Sequence, residues 1–119
     1  MQQKNREQLE QLLSYFDQSL RAYRSYLEGG KIFSGACALR KWNEKALQVL
    51  QLAEKEWPEN FHPDILSLKE HYTVWMAKWD ELAAAQQPGP DDLFVFPNTV
   101  TFPRDAAGRL ETWYRESAH

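Results

Sequence analysis

The chain has 119 residues, 43% of them hydrophobic and 26% charged, with a net charge of −3 and a pI near 5.6. That mild acidity is the wrong sign for a general nucleic-acid binder and too small for an acidic mimic of one. A lone cysteine, Cys37, excludes an intramolecular disulfide, and no apolar run approaches the ~20 residues of a membrane span.

Residues 1–10 are polar and lack the apolar segment of a secretion signal, so a cytoplasmic location is expected. The first element follows at once. Leu9, Leu13, Phe16, Leu20, Tyr23 and Leu27 recur at alternating spacings of four and three, which predicts one inward stripe along a long helix. Glu28-Gly29-Gly30 supplies the stop.

The second helix is expected to start near Ser34, whose hydroxyl can cap free backbone N–H groups. Leu39, Trp42, Ala46, Val49 and Ala53 form its stripe, and Leu47, Leu50 and Trp57 widen it. Pro58 ends it, because proline pushes the preceding residue out of helical geometry. The third helix is expected from about Pro63, with Asp64 favourable at its positive end. Ile65, Leu68, Tyr72, Trp75, Trp79 and Leu82 make its stripe, which fades into Gln86-Gln87-Pro88-Gly89-Pro90.

Short connections at about 29–34 and 58–62 favour antiparallel neighbours, and the seven-residue seams favour shallow left-handed packing. After the Pro/Gly break, residues 93–102 turn β-favouring, with Pro97-Asn98 as a turn. Pro103 opens a short last helix in which Ala106, Leu110 and Trp113 mark the inward side and Glu111 and Arg115 pair four apart. The expected fold is therefore all-α: an antiparallel three-helix up-down-up bundle within a single domain, 1–119. An extended arm or small hairpin (93–102) and a short C-terminal helix complete it.

Catalytic chemistry finds little support. Glu59-Asn60-Phe61-His62 spells Glu-x-x-His, but a di-iron bundle needs that motif twice and on helices, and here it occurs once between two prolines. Neither a metal nor another cofactor is expected. Cys37 lies near a helix start with no histidine nearby in sequence, and its neighbours Ala36 and Ala38 suggest a small buried residue. His71 is the partner it would need for nucleophilic work. Asp80-Glu81 and Asp91-Asp92 are adjacent pairs, which diverge on a helix and read as solvated surface.

Charge is unevenly spread. Residues 21–45 carry Arg21, Arg24, Lys31, Arg40, Lys41 and Lys45 against two acids, a local balance of +4, whereas residues 46–92 balance at −6. In a helical hairpin those six cations gather at one end, interleaved with Tyr23, Tyr26 and Phe33. They are candidates for an anionic partner, set against solvated charges balanced by the neighbouring acidic helix. Phe94, Phe96 and Phe102 are candidates for an apolar interface with another chain, set against capping of the bundle's own groove. The Tyr72/Trp75/Trp79 stripe reads first as core and second as a ligand pocket.

These features favour a non-catalytic protein-binding module of adaptor, chaperone, inhibitor or immunity type. The alternative is a binder of a small ligand or nucleic acid through the aromatic core or the basic end. Another protein is the expected partner and a homo-oligomer is admissible. Nucleic acid and membrane are not expected.

Overall fold

The computed structural model describes residues 2–96 and 101–117. It is all-α, with α1 (Gln3–Glu28), α2 (Phe33–Glu56), α3 (His62–Gln86) and α4 (Arg104–Ser117), and a 3-10 turn at Glu59–Phe61. None of the helices described is long and apolar enough to cross a membrane.

Paired residues show how the helices run. Trp57 Nε1 donates to Gln8 at 2.8 Å, Tyr15 lies 6.0 Å from Trp42, and the Ser19 hydroxyl donates to Asn43. Positions later in α1 thus meet positions earlier in α2. The same reversal relates α2 to α3, where Glu54 binds Lys69 at 2.5 Å and Arg40 binds Asp80 at 2.9 Å. The α1–α2 reversal is tight because Gly30 and Lys31 both take positive φ, 87° and 59°. Gly35 lets the helices close there, since an added Cβ would sit 3.3 Å from Tyr26 Cα.

The α1 stripe departs from expectation. Leu9 is buried, but Leu20, Tyr23 and Leu27 stay 48%, 37% and 41% exposed. The face α1 buries towards α2 is instead Asn5, Leu9, Leu12 and Tyr26, with Ser19 on the same line. The physical reason is that the backbones of α1 and α3 never reach packing distance. They meet only through long side chains, as where Phe16 stacks on Tyr72 at 6.2 Å. The apolar seam on the C-terminal half of α1 therefore has no helix opposite it.

α4 packs against the other, N-terminal half of α1. Arg6 lies over the Tyr114 ring at 4.6 Å, and Arg109 grips Asp64 in the first turn of α3 at 2.7 and 2.9 Å. Ala106 and Leu110 are buried, and Trp113 packs edge-on to Phe61 at 5.0 Å. With its 14 residues, α4 spans roughly 21 Å at the usual helical rise, against about 37 Å for α3. It is too short to seal the whole seam.

The chain after α3 closes the opposite end. Ser34 does not cap α2; the cap position is Ile32 and no side chain bonds there. The first free N–H groups of α2 go instead to backbone carbonyls of the returning chain, Phe33 to Asp92 at 2.9 Å and Ser34 to Pro90 at 3.0 Å. Phe94 N–H in turn donates to Lys31 at 2.8 Å. A single antiparallel bridge, Ile32 to Leu93, is the only β-pairing among the described residues; the Pro97-Asn98 turn lies outside them. Two buried clusters result. One joins Leu9, Leu12, Leu50, Ile65, Leu68 and Leu110, and the other joins Tyr26, Leu39, Trp75, Trp79 and Phe94.

Candidate functional site

Between those clusters the unsealed seam opens into a cleft of about 870 Å³, within the roughly 300–1,000 Å³ usual for ligand sites. Leu13, Phe16, Leu20 and Tyr23 of α1 form one wall, and His71, Tyr72 and Trp75 of α3 the other. Leu39 and Asn43 of α2 lie at its floor, where the buried Asn43 amide oxygen accepts the Ser19 hydroxyl. Ala107, Gly108 and Tyr114 close the α4 end. Phe96 closes the other, its ring 4.9 Å from Trp75.

The arm is held in place by a phenol. Tyr26 donates its hydroxyl proton to the Phe94 carbonyl and accepts the Phe96 N–H at 3.2 Å. Phe94 is thereby driven fully out of solvent, 5.2 Å from Phe33 and 5.3 Å from Trp79. Phe102 packs 5.6 Å from Phe16 and 5.3 Å from His71. Of the three arm residues singled out as an apolar interface, Phe94 is thus spent inside this chain's own core. Phe96 and Phe102 both line the cleft.

The charges on the cleft are mostly neutralised locally. Asp17 pairs with Arg21 at 3.0 Å and Glu111 with Arg115 at 2.5 Å. Burial pushes the His71 imidazole below its ordinary 6.5, with the Thr101 backbone pulling the other way. Burial also pushes the Tyr72 phenol up. Arg104 lines the mouth and has no ion-pair partner among the described residues.

Four of the six candidate cations have a partner within this chain. Arg21 is held by Asp17. Arg40 donates two bonds to Asp80 at 2.9 and 3.1 Å and one to Glu44 at 3.0 Å, and lies over Trp79 at 5.2 Å. Lys41 and Lys45 lie over Trp42, at 5.4 and 5.8 Å. Arg24 and Lys31 are exposed. The acidic third helix therefore absorbs the best-placed guanidinium.

Cys37 is exposed rather than buried, a correction with a simple cause: it follows Ala36, which points at the core, by one residue. Partial desolvation pushes its thiol up while Arg40 pulls it down. It lies outside the cleft wall that carries His71. No group of three His, Cys, Asp or Glu side chains converges among the described residues. What sequence reasoning missed was the cleft-facing role of Leu13, Phe16, Leu20 and Tyr23. Periodicity marks that stripe as apolar, and only the separation of α1 from α3 in the folded chain leaves it uncovered. Set against known families, curated proteins and solved structures, the chain shows no significant match.

Proposed function

We propose that this chain is a non-catalytic binding protein that holds a small, elongated apolar ligand in the α1–α3 cleft. In this scheme the three long helices act as one up-down-up bundle opened along the seam between its first and third members. The observation that supports it is the uncovered α1 seam: Leu20 and Tyr23 stay exposed beside Phe16, Tyr72, Trp75 and Phe96 around an 870 Å³ space. Apolar area left in water is unfavourable by roughly 25 cal/mol per Å², which a guest recovers by covering it.

The test uses the neutral fluorescent probe N-phenyl-naphthylamine. Saturable binding is expected, with quenching of Trp75 and loss of that quenching in Trp75→Phe. Gly108 has open space around its Cβ position, so Gly108→Leu should intrude on the mouth and lower affinity without unfolding the chain. Binding that does not saturate, or that ignores Gly108→Leu, would sink the proposal.

A second reading is supported by one further fact. The apolar strip on α1 runs past the cleft to Leu27, which is exposed and lies outside its lining. Leu20, Tyr23 and Leu27, spaced three and four, suit an amphipathic helix of a protein partner laid along α1. Leu27→Asp should weaken such a partner while leaving probe binding unchanged.

A further inference from the structure

We infer that the cleft selects a monoanionic amphiphile, its apolar tail between α1 and α3 and its acidic head on the Arg104 guanidinium. This inference deepens the small-ligand proposal and rests on it. The lining separates the two halves of such a molecule. Leu13, Phe16, Leu20, Tyr72, Trp75 and Phe96 offer apolar and aromatic surface through the body of the cleft. Four charged side chains line it, and three are already balanced, Asp17 by Arg21 and Glu111 and Arg115 by each other. Once Glu111 is counted with Arg115, the residue left over is Arg104, at the α4 end and two residues from the cleft wall ring of Phe102.

One surplus positive charge beside an apolar slot is complementary to one negative charge on an apolar chain. A guanidinium presents paired N–H donors that match the two oxygens of a carboxylate, and such charge-assisted bonds exceed neutral ones in strength. Burial disfavours the charged form of His71, and Arg104 is the one cation lining the cleft without an ion-pair partner among the described residues, which suits a singly charged head. The whole chain carries −3, so a general attraction for anions is not the source of the preference.

The experiment displaces N-phenyl-naphthylamine with decanoate and with decanol, which share a tail and differ in the head. Decanoate should compete about tenfold more strongly than decanol, the scale of one charge-assisted contact at a half-open site. Arg104→Gln should erase that difference and leave decanol unchanged. Lys55→Gln, which removes the same charge from the exposed surface of α2, should leave both unchanged. Equal competition by the two compounds in the native chain overturns the anionic head while the cleft proposal survives. An equal loss in Lys55→Gln and Arg104→Gln overturns it too, by showing a diffuse field. Failure of the probe itself to bind removes both proposals together.

Discussion

The Tyr26 hydroxyl donates to the Phe94 carbonyl across 68 residues of sequence, tying the arm to α1. The same oxygen accepts the Phe96 N–H at 3.2 Å. Tyr26→Phe keeps the ring and removes both contacts, leaving a carbonyl without its donor in a region where Phe94 has no exposure. A loss of about 1–3 kcal/mol in unfolding free energy is expected from the unmade buried bond. Because Phe96 leans on Trp75, the variant should also shift the tryptophan emission. A stability change below a few tenths of a kcal/mol, with unaltered emission, would show that packing and the backbone bonds at Lys31, Phe33 and Ser34 hold the arm without the phenol.

Phe94 and Leu93 are neighbours with opposite surroundings. Phe94 fills the space between Phe33 and Trp79, whereas Leu93 is 65% exposed. Phe94→Ala should lose about 3–5 kcal/mol through lost transfer energy and a residual cavity. Leu93→Ala should change stability by less than about 0.5 kcal/mol, as for ordinary surface sites. Denaturant midpoints of the two variants decide this. Similar values would mean that the arm does not dock as described.

His71 gives the fold a one-sided pH dependence. Its imidazole is half-buried beside Tyr72 and Phe102, and burial holds its folded pKa below the ordinary 6.5. The unfolded chain therefore binds that proton more readily. The stability in question is complete above pH 6.5 and is lost as pH falls through 6.5 towards the lower folded value. His71→Gln cannot take up the proton and should flatten the part of the stability curve between about pH 5 and pH 7 where histidines titrate. Parallel curves for the two proteins would assign the slope to other groups.

The helices were legible because period and punctuation agree. Ile65, Leu68, Tyr72, Trp75 and Trp79 are all buried where their spacing places them, and Pro63 sits at the helix start. The errors come from long-range geometry. Ser34 has the chemistry of a cap, but the returning backbone at Pro90 and Asp92 reaches those N–H groups first, and no local rule anticipates a partner nearly sixty residues away. The α1 stripe is apolar as its spacing requires but is left uncovered at Leu20, Tyr23 and Leu27, because periodicity reports which face is greasy and not how long the covering element is. The cleft is the difference between those two lengths. Arg40 likewise carried its charge into the sequence count without its partner Asp80, which only folding brings within 2.9 Å.

Gly108 sits inside α4 although nothing around it calls for glycine. An added Cβ meets no atom within 4 Å, and the residue does not take a positive φ. Gly108→Ala should therefore stabilise the protein by up to about 1 kcal/mol, the usual propensity difference in a helix interior. A small methyl at the mouth should leave probe affinity nearly intact, in contrast to Gly108→Leu. A thermal midpoint that rises without a change in binding would show that the glycine is not needed for the fold. If Gly108→Ala instead lost probe binding, the mouth would be narrower than the structure shows.

Arg24 and Arg40 began as equal members of one basic cluster, and the structure separates them. Arg40 bridges α2 to α3 through Asp80, pairs with Glu44 on its own helix and lies over Trp79. Arg24 is exposed on α1. Reversal at Arg40 replaces two attractions with two repulsions, so Arg40→Glu should destabilise clearly. Arg40→Ala should cost only about 1 kcal/mol or less, since Asp80 is half-exposed and solvent screens the pair. Arg24→Glu should be nearly silent in stability. The decisive variant is the exchange, Arg40→Asp with Asp80→Arg, which should recover much of what Arg40→Asp alone loses. Recovery identifies Arg40 as a strut between helices. If the exchange fails to recover stability and Arg24→Glu proves as damaging as Arg40→Glu, the cations act through their summed field, and the original basic cluster stands.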